Sequence, residues 1–249
     1  MALTPDELER YRRHLLLPEI GGQGQQALKE ASVLVAGAGG LGSPILLYLA
    51  AAGLGRIILC DDDAVSLSNL QRQVLFSTAS IGEPKVTAAA RRLADLNPHC
   101  QVVPQQARLT AGNATRLLAG VDLIIDGIDS FEGRFAINEA SLASGIPLLS
   151  AAIGRFDGQL SLFTPGPDQP CYRCLVPEIP PDAADCEIQG VLGAVPGILG
   201  SMAAMEAIRF LTGFGESLAG HLLLYNGMNG TVRLVKLPKD PACPACAAN

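Results

Sequence analysis

Histidine is scarce in this chain: His14, His99 and His221 are the only three among 249 residues. No Ser-His-Asp or Cys-His arrangement is evident, which argues against a hydrolase that activates its nucleophile with a general base. Basic blocks are missing too. The net charge is −6, so general nucleic-acid binding is not expected. No signal peptide is evident, because the chain opens on the polar, acidic Thr4-Pro5-Asp6-Glu7, and a cytoplasmic protein is expected. Two uncharged stretches, 31–55 and 188–205, have the length of membrane spans. The first holds six glycines and Pro44, the second is broken by Pro196, and neither has the basic flanks of a span. Both are expected to be buried core.

What is present is apolar: 49% of residues are hydrophobic and 17% charged, the balance of a globular chain. Its length suits one large domain with a substantial core. Seven cysteines without an export signal point to metal or redox chemistry sooner than to a disulfide frame.

The chain is organised around Val33-Leu34-Val35-Ala36-Gly37-Ala38-Gly39-Gly40-Leu41-Gly42. A β-branched run ends in glycines at G-x-G-x-x-G spacing, and a helix-forming run, Ile45 to Ala52, follows. The first glycine allows a tight turn, the second lets backbone approach a phosphate, and the third lets helix and strand pack closely. The helix N-terminus would face the anion. Asp61 lies 19 residues past Gly42, at the end of a strand over Arg56 to Cys60, where a carboxylate accepts hydrogen bonds from a ribose. The pattern predicts nucleotide binding without naming the nucleotide.

Around this core, Thr4, Pro5 and Glu7 spell a capping box for an N-terminal helix bearing Leu8, Tyr11 and Leu15 on one face. Arg10, Arg12, Arg13 and His14 crowd its other side, and Pro18 with Gly21, Gly22 and Gly24 is expected to end it. The polar run Val65 to Gln73 sits beyond the carboxyl end of a parallel strand, the side on which open α/β sheets bind ligands. Lys85 opens a helix that runs to Leu96 and stops at Asn97-Pro98. A cation there opposes the macrodipole unless a polyphosphate is bound; the alternative is an indifferent surface lysine. Further strands are expected at Gln101 to Ala107, Val121 to Asp126, Pro147 to Ala152 and, antiparallel, Gly158 to Phe163. Asp126-Gly127-Ile128-Asp129-Ser130 ends the second of these with acids suited to Mg²⁺, although Asp126 reads more readily as a turn cap than Asp129 does. A helix is expected over Pro196 to Leu211 and a hairpin over Leu222 to Tyr225 and Thr231 to Leu237, around Asn226-Gly227.

Cys171-x-x-Cys174 and Cys243-x-x-Cys246 offer two thiolates each. One such pair could be a redox dithiol; two together favour structural Zn²⁺, which four sulfurs would close to catalysis. Between them a Pro-rich acidic loop carries Cys186. Cys60 reads as inert core, and Cys100 has no evident role. The expected fold class is α/β: a Rossmann-like mixed sheet, parallel in its N-terminal part and antiparallel in its C-terminal part, with helices on both faces and a four-cysteine zinc site. The chain divides into a helical arm (1–30), a nucleotide-binding core (31–165) and a remainder (166–249) that holds the knuckles, the loop and the last strands.

Arg72, Lys85 and Asp129 gathered round a nucleotide loop are equipment for phosphoryl or nucleotidyl transfer, where positioning and charge neutralisation supply most of the rate. A carboxylate nucleophile would need no base, since a C-terminal carboxyl ionises at about pH 3.5. On Gly37-x-Gly39-Gly40-x-Gly42, Ser68-Asn69-Leu70-Gln71-Arg72-Gln73, Lys85, Asp129 and both cysteine pairs, nearly the whole chain resembles the MoeB/ThiF/HesA family, bacterial relatives of ubiquitin-activating enzymes. The resemblance implies one adenylation domain, 1–249. It would bind MgATP and the Gly-Gly tail of a small ubiquitin-like sulfur-carrier protein, and form an acyl-adenylate with release of pyrophosphate. Asp61 would hold the ribose. Gly37, Gly39, Gly40, Gly42, Ser68, Asn69, Leu70, Gln71, Arg72, Lys85 and Ile128 would line the nucleotide site, and Asp129 would organise Mg²⁺. Arg13 would reach the ATP of a partner subunit, so a homodimer is implied. Cys186 matches a cysteine that bonds to the carrier in some relatives and is dispensable in others. A separate sulfur donor is implied. A MoaD-like carrier of molybdenum cofactor synthesis is the first expectation; a ThiS-like carrier of thiamin synthesis or a tRNA-thiolation carrier is the alternative. The rivals of another class are an NAD-dependent dehydrogenase and a non-catalytic nucleotide-binding protein. His14 and Ser130 depart from the glutamine and asparagine of the family pattern.

Overall fold

The computed structural model describes residues 2–181 and 190–247. Eight strands form one sheet in the order β3-β2-β1-β4-β5-β6-β7-β8. They are β1 (Ser32–Ala36), β2 (Arg56–Cys60), β3 (Gln101–Gln105), β4 (Leu123–Asp126), β5 (Leu148–Ile153), β6 (Asp157–Phe163), β7 (His221–Asn226) and β8 (Thr231–Lys236). The first five run parallel and the last three join antiparallel, so the mixed Rossmann-like sheet is present as expected. β1 and β4 are central and buried at every position, which is why they read as unbroken apolar runs. β3 is the edge strand and carries Pro104, a residue tolerated only where a ladder partner is absent.

Among the described residues the α-helices are α1 (Pro5–Arg10), α2 (Arg12–Leu15), α3 (Gly21–Glu30), α4 (Gly42–Ala52), α5 (Lys85–Leu96), α6 (Ala111–Leu117), α7 (Phe131–Ser144), α8 (Tyr172–Leu175) and α9 (Ala194–Thr212). Period-two alternation along the strands splits the core into two layers. Val33, Val35, Ile57 and Leu59 join the side chains of α4, α5 and α9 on one face. Leu34, Ile58, Ile124 and Leu148 join those of α6, α7 and α8 on the other. α9 is long and apolar enough to cross a bilayer, yet Leu199, Ala203 and Ala207 are wholly buried against the sheet layer, the place of a core helix.

Local sequence rules account for most element ends. Thr4 caps α1, accepting from Glu7 N while the Glu7 carboxylate accepts from Thr4 N at 2.8 Å. The first helical stretch stops at Leu15, ahead of Pro18, and the glycines at 21, 22 and 24 lie inside the next helix, α3. Gly24 is there because Ile20 and Thr212 crowd it, a Cβ coming within 3.1 Å of Ile20, so close packing on α9 offsets the helix-weakening cost of glycine. The last hairpin turns through four residues, Gly227–Gly230, with Asn226 the final residue of β7. α6 and α7 lie in segments for which no helix is expected from the sequence.

Candidate active site

The strand order reverses between β1 and β4, and open α/β sheets bind their ligands in the crevice above that reversal. The two loops that leave these strands meet there. Gly127 N donates to Ala36 O at 2.9 Å. Gly37 has φ +95°, and a Cβ on it would come within 3.0 Å of Gly127 O and 3.1 Å of the Ile128 side chain. A Cβ on Gly42 would overlap Gly37 O, so the third glycine permits the close start of α4.

Asp61, at the end of β2, braces the glycine turn. Its Oδ2 accepts from Ala38 N at 2.8 Å and its Oδ1 from Asp63 N at 2.9 Å. Burial pushes its carboxyl above the usual range, against the pull of Ala38 N–H and Lys85. A carboxylate has lone pairs beyond these two, so ribose hydroxyls remain acceptable partners. Lys85 is not an indifferent surface lysine: it is 4% exposed, and its Nζ donates to Asp63 Oδ2 at 2.8 Å. That carboxylate beside the first turn of α5 offsets the unfavourable lysine–dipole contact. In the sequence Asp63 is one of three consecutive acids, with nothing local to single it out as the partner.

Arg72 lies along the glycine loop. Its Cγ is 3.5 Å from the position of a Cβ on Gly40, with Pro196 of α9 3.2 Å away on the other side, and its Nη1 donates to Ser68 O at 3.3 Å. The turn is shaped by Asn69, whose carbonyl accepts from Arg72 N at 3.0 Å and Gln73 N at 2.9 Å. Gln71 backs onto Gly193, where a Cβ would overlap Gln71 O. Leu70 is half-buried against the core.

Asp126, the last residue of β4, and Asp129, three residues on, sit in different surroundings. Asp126 is buried and accepts from Ile128 N at 3.1 Å, Ser150 Oγ at 2.8 Å and Arg134 Nη1 at 3.3 Å. Asp129 is exposed at the crevice mouth. The Arg108 guanidinium marks the rim. Its pKa is raised first by its hydrogen bond to Asp62 and more weakly by Asp63 and Asp129.

One expected site residue is not brought here within a single chain. Arg13 is exposed on α2, and the arm packs at the far ends of α4 and α5. There Tyr11 Oη accepts from Asn97 Nδ2 at 2.8 Å, and Arg10 donates to Leu96 O at 3.0 Å. The glycine loop is at the opposite end of α4, so Arg13 does not reach it within one chain. Cys186 lies outside the described residues. His14 Nδ1 donates to Gln25 Oε1 at 2.9 Å, an internal arm contact.

The four paired cysteines do converge. Cys171 and Cys243 sulfurs are 3.6 Å apart, Cys174 and Cys246 sulfurs 3.5 Å, and all four lie within 4.8 Å of one another. A tetrahedral thiolate site with Zn–S of about 2.3 Å spaces its sulfurs about 3.8 Å apart, so the cluster fits a closed metal site. Cys60 and Cys100 are buried and free; burial pushes their thiols up to about 11 and about 12, which makes them inert.

A model of the ThiF family matches residues 11–245. The chain belongs to the ThiF family. The match takes in Arg13, the glycine loop, Arg72, Lys85, Asp129 and three of the four paired cysteines. The chain is similar to the sulfur carrier protein adenylyltransferase of Thermus thermophilus, with 46% identity over 94% of this chain and 88% of that protein. It is similar to the SAMP-activating enzyme E1 of Haloferax volcanii, with 43% identity over 94% and 87%. Among solved structures, E. coli MccB with AMPCPP and MccA superposes with a TM-score of 0.81 at 25% identity, over 95% of this chain and 74% of that one. This ThiF-family member is an enzyme of the ThiF/MoeB nucleotidyltransferase class. The dehydrogenase and non-catalytic readings are thereby set aside.

Proposed function

We propose that this ThiF-family enzyme adenylates the C-terminal carboxylate of a small ubiquitin-like sulfur-carrier protein. The observation that carries the reading is the convergence on one crevice of the glycine turn, Asp61, Lys85, Arg72 and the Asp129 loop. Asp61 receives the ribose, the glycine turn and the α4 N-terminus take the phosphates, and Ile128 and Leu70 flank the base. Arg72 and Lys85 neutralise the triphosphate, with Lys85 held at its post by Asp63. Mg²⁺, bound with the substrate through Asp129, would neutralise further charge on the phosphates. The carrier's terminal carboxylate oxygen attacks the α-phosphorus. A new P–O bond forms, the bridging α–β P–O bond breaks, and pyrophosphate leaves with the electron pair. The nucleophile is already ionised, which fits a site whose histidines all lie elsewhere.

The open groove of about 880 Å³ along β5 to β8, lined by Phe156, Tyr225, Met228 and Arg233, begins at the carboxyl end of β5 and suits the carrier's body. A second copy of the chain supplies Arg13, because the arm faces away from its own crevice. The cysteine cluster holds structural Zn²⁺. The names of the Thermus and Haloferax relatives speak of a sulfur carrier and of SAMP activation, and neither of molybdopterin. That favours the same chemistry on a ThiS-like or tRNA-thiolation carrier over the MoaD-like carrier of molybdenum cofactor synthesis.

The test mixes the enzyme and MgATP with purified Gly-Gly-tailed carriers in turn. The expected outcome is ATP–pyrophosphate exchange dependent on one carrier, with the carrier gaining the mass of an adenylyl group, AMP less one water. Exchange with none of them overturns the proposal.

A further inference from the structure

The buried network under the Asp129 loop continues, link by link, into the first cysteine knuckle. Ile128 is gripped at both ends: its N–H donates to Asp126 Oδ1 at 3.1 Å, and its carbonyl accepts from Arg134 Nη2. The same guanidinium reaches Asp126 Oδ2 at 3.3 Å and Ala151 O at 3.1 Å. It thereby pins the loop to the ends of β4 and β5. The Ile128 side chain folds over Gly133, where any Cβ would overlap it. Arg134 is 6% exposed and Asp126 1%, so the pair works in low dielectric and leaves no slack.

On its other side Arg134 lies beside Tyr172, which is buried and packs its ring 6.1 Å from that of Phe135, the neighbour of Arg134 on α7; Tyr172 is the residue between Cys171 and Arg173 in the knuckle. One turn further along α7, Asn138 is 1% exposed. Its Oδ1 accepts from Tyr172 N at 2.9 Å, and its Nδ2 donates to Cys171 Sγ at 3.8 Å. Residues four apart on a helix share a face, so Arg134 and Asn138 read the knuckle and the loop from one side of α7. Outer hydrogen bonds of this kind orient thiolate ligands.

We propose that the Cys171–Cys174 knuckle positions the Gly127–Asp129 loop, with Tyr172 and Asn138 carrying its placement to Arg134. The cysteine centre is then more than a staple for the C-terminal segment: its order sets how Asp129 is presented. Arg134, Asn138 and Tyr172 are positioning residues, acting through Asp126 and Ile128. The inference rests on the reading of Asp129 as the acid that organises Mg²⁺ only for its catalytic readout. The structural readout is independent of it.

Tyr172→Phe keeps the ring, which packs edge-on against Phe163 at 6.1 Å, and removes only the hydroxyl. Hydrogen–deuterium exchange on the whole chain without nucleotide is expected to show faster exchange at 127–129. The His221–Lys236 hairpin and the metal content stay as in the wild type. The KM for MgATP is expected to rise about three- to tenfold, the scale of one lost polar contact, with the KM for the carrier unchanged. Asn138→Asp keeps the acceptor for Tyr172 N and loses the donor to Cys171; it should open the same segment. Arg173→Ala alters the same knuckle at a side chain that donates to Pro177 O and lies 4.6 Å over the Phe135 ring, outside the hydrogen bonds of Arg134 and Asn138, and should leave 127–129 protected. Unchanged exchange at 127–129 in Tyr172→Phe and Asn138→Asp, or equal loosening in Arg173→Ala, overturns the proposal. Failure of every carrier to be adenylated would sink the functional reading and leave the exchange result to decide this one.

Discussion

Individual side chains at the crevice are held for their task by neighbours that the task does not use. Lys85 is the clearest instance. Its ammonium is buried, but its partner Asp63 has 61% of its side chain exposed, so removing the cation leaves no buried orphan charge. Lys85→Met is therefore expected to fold normally and to lose roughly 10²–10³-fold in carrier adenylation, the usual loss for a charge that stabilises a transferring phosphoryl group. Asp129→Ala, at an exposed loop position, should likewise keep its melting temperature and lose adenylation; stopped-flow pyrophosphate release and calorimetry together check both. Glu7 gives a pH prediction. Burial would raise its carboxyl, but hydrogen bonds from Lys29 at 2.7 Å and from Thr4 outweigh that and hold it at about 2 instead of 4.5. A depressed carboxyl stabilises the fold above the unfolded value and stops doing so as pH falls through the folded one. The arm's contribution should be full above pH 4.5 and vanish towards pH 2. Glu7→Gln should flatten that stretch of the stability curve, read by denaturant melts across pH.

Elements differ in how openly they declare themselves. β1, β2 and β4 are apolar because both faces are covered, and α5 ends where Asn97-Pro98 must end it. α7 stayed hidden. Its inward face carries Arg134, Asn138 and Ser141 as well as Ile137, and polar residues at helical spacing read as a solvated face until something buried is seen to bind them. The knuckles were legible as chemistry but not as geometry: spacing marks a thiolate pair, whereas pairing 171 with 243 is a matter of where α7 and the last strand bring them. Cys171→Ser should lose the metal and lower the melting temperature by about 6–12 °C, the equivalent of ~3 kcal/mol in a chain of this size. Metal analysis beside scanning calorimetry tests it.

For the whole molecule, the decisive arrangement is that arm and crevice sit at opposite ends of α4. A residue of the arm can serve a crevice only in another copy, and closed two-fold symmetry is the usual way to arrange that. Arg13→Ala and Asp129→Ala, each inactive alone, should regain about a quarter of wild-type adenylation when unfolded and refolded together: half the dimers are mixed, and one site of each mixed dimer is intact. No recovery, with mixed dimers demonstrated by mass, would place Arg13 outside the mechanism.

The residue string by itself carried the parallel-then-antiparallel sheet, the phosphate turn, the acid at Asp61 and the two thiolate pairs. Each of these is written in local terms, through period, turn chemistry or spacing, and local terms survive without a fold. Only the tertiary structure tied Asp126 to Arg134 and Ser150, gave Lys85 its partner and turned Arg13 outward. Those outcomes depend on which groups burial brings within hydrogen-bonding distance across tens of residues, and no local pattern encodes that distance.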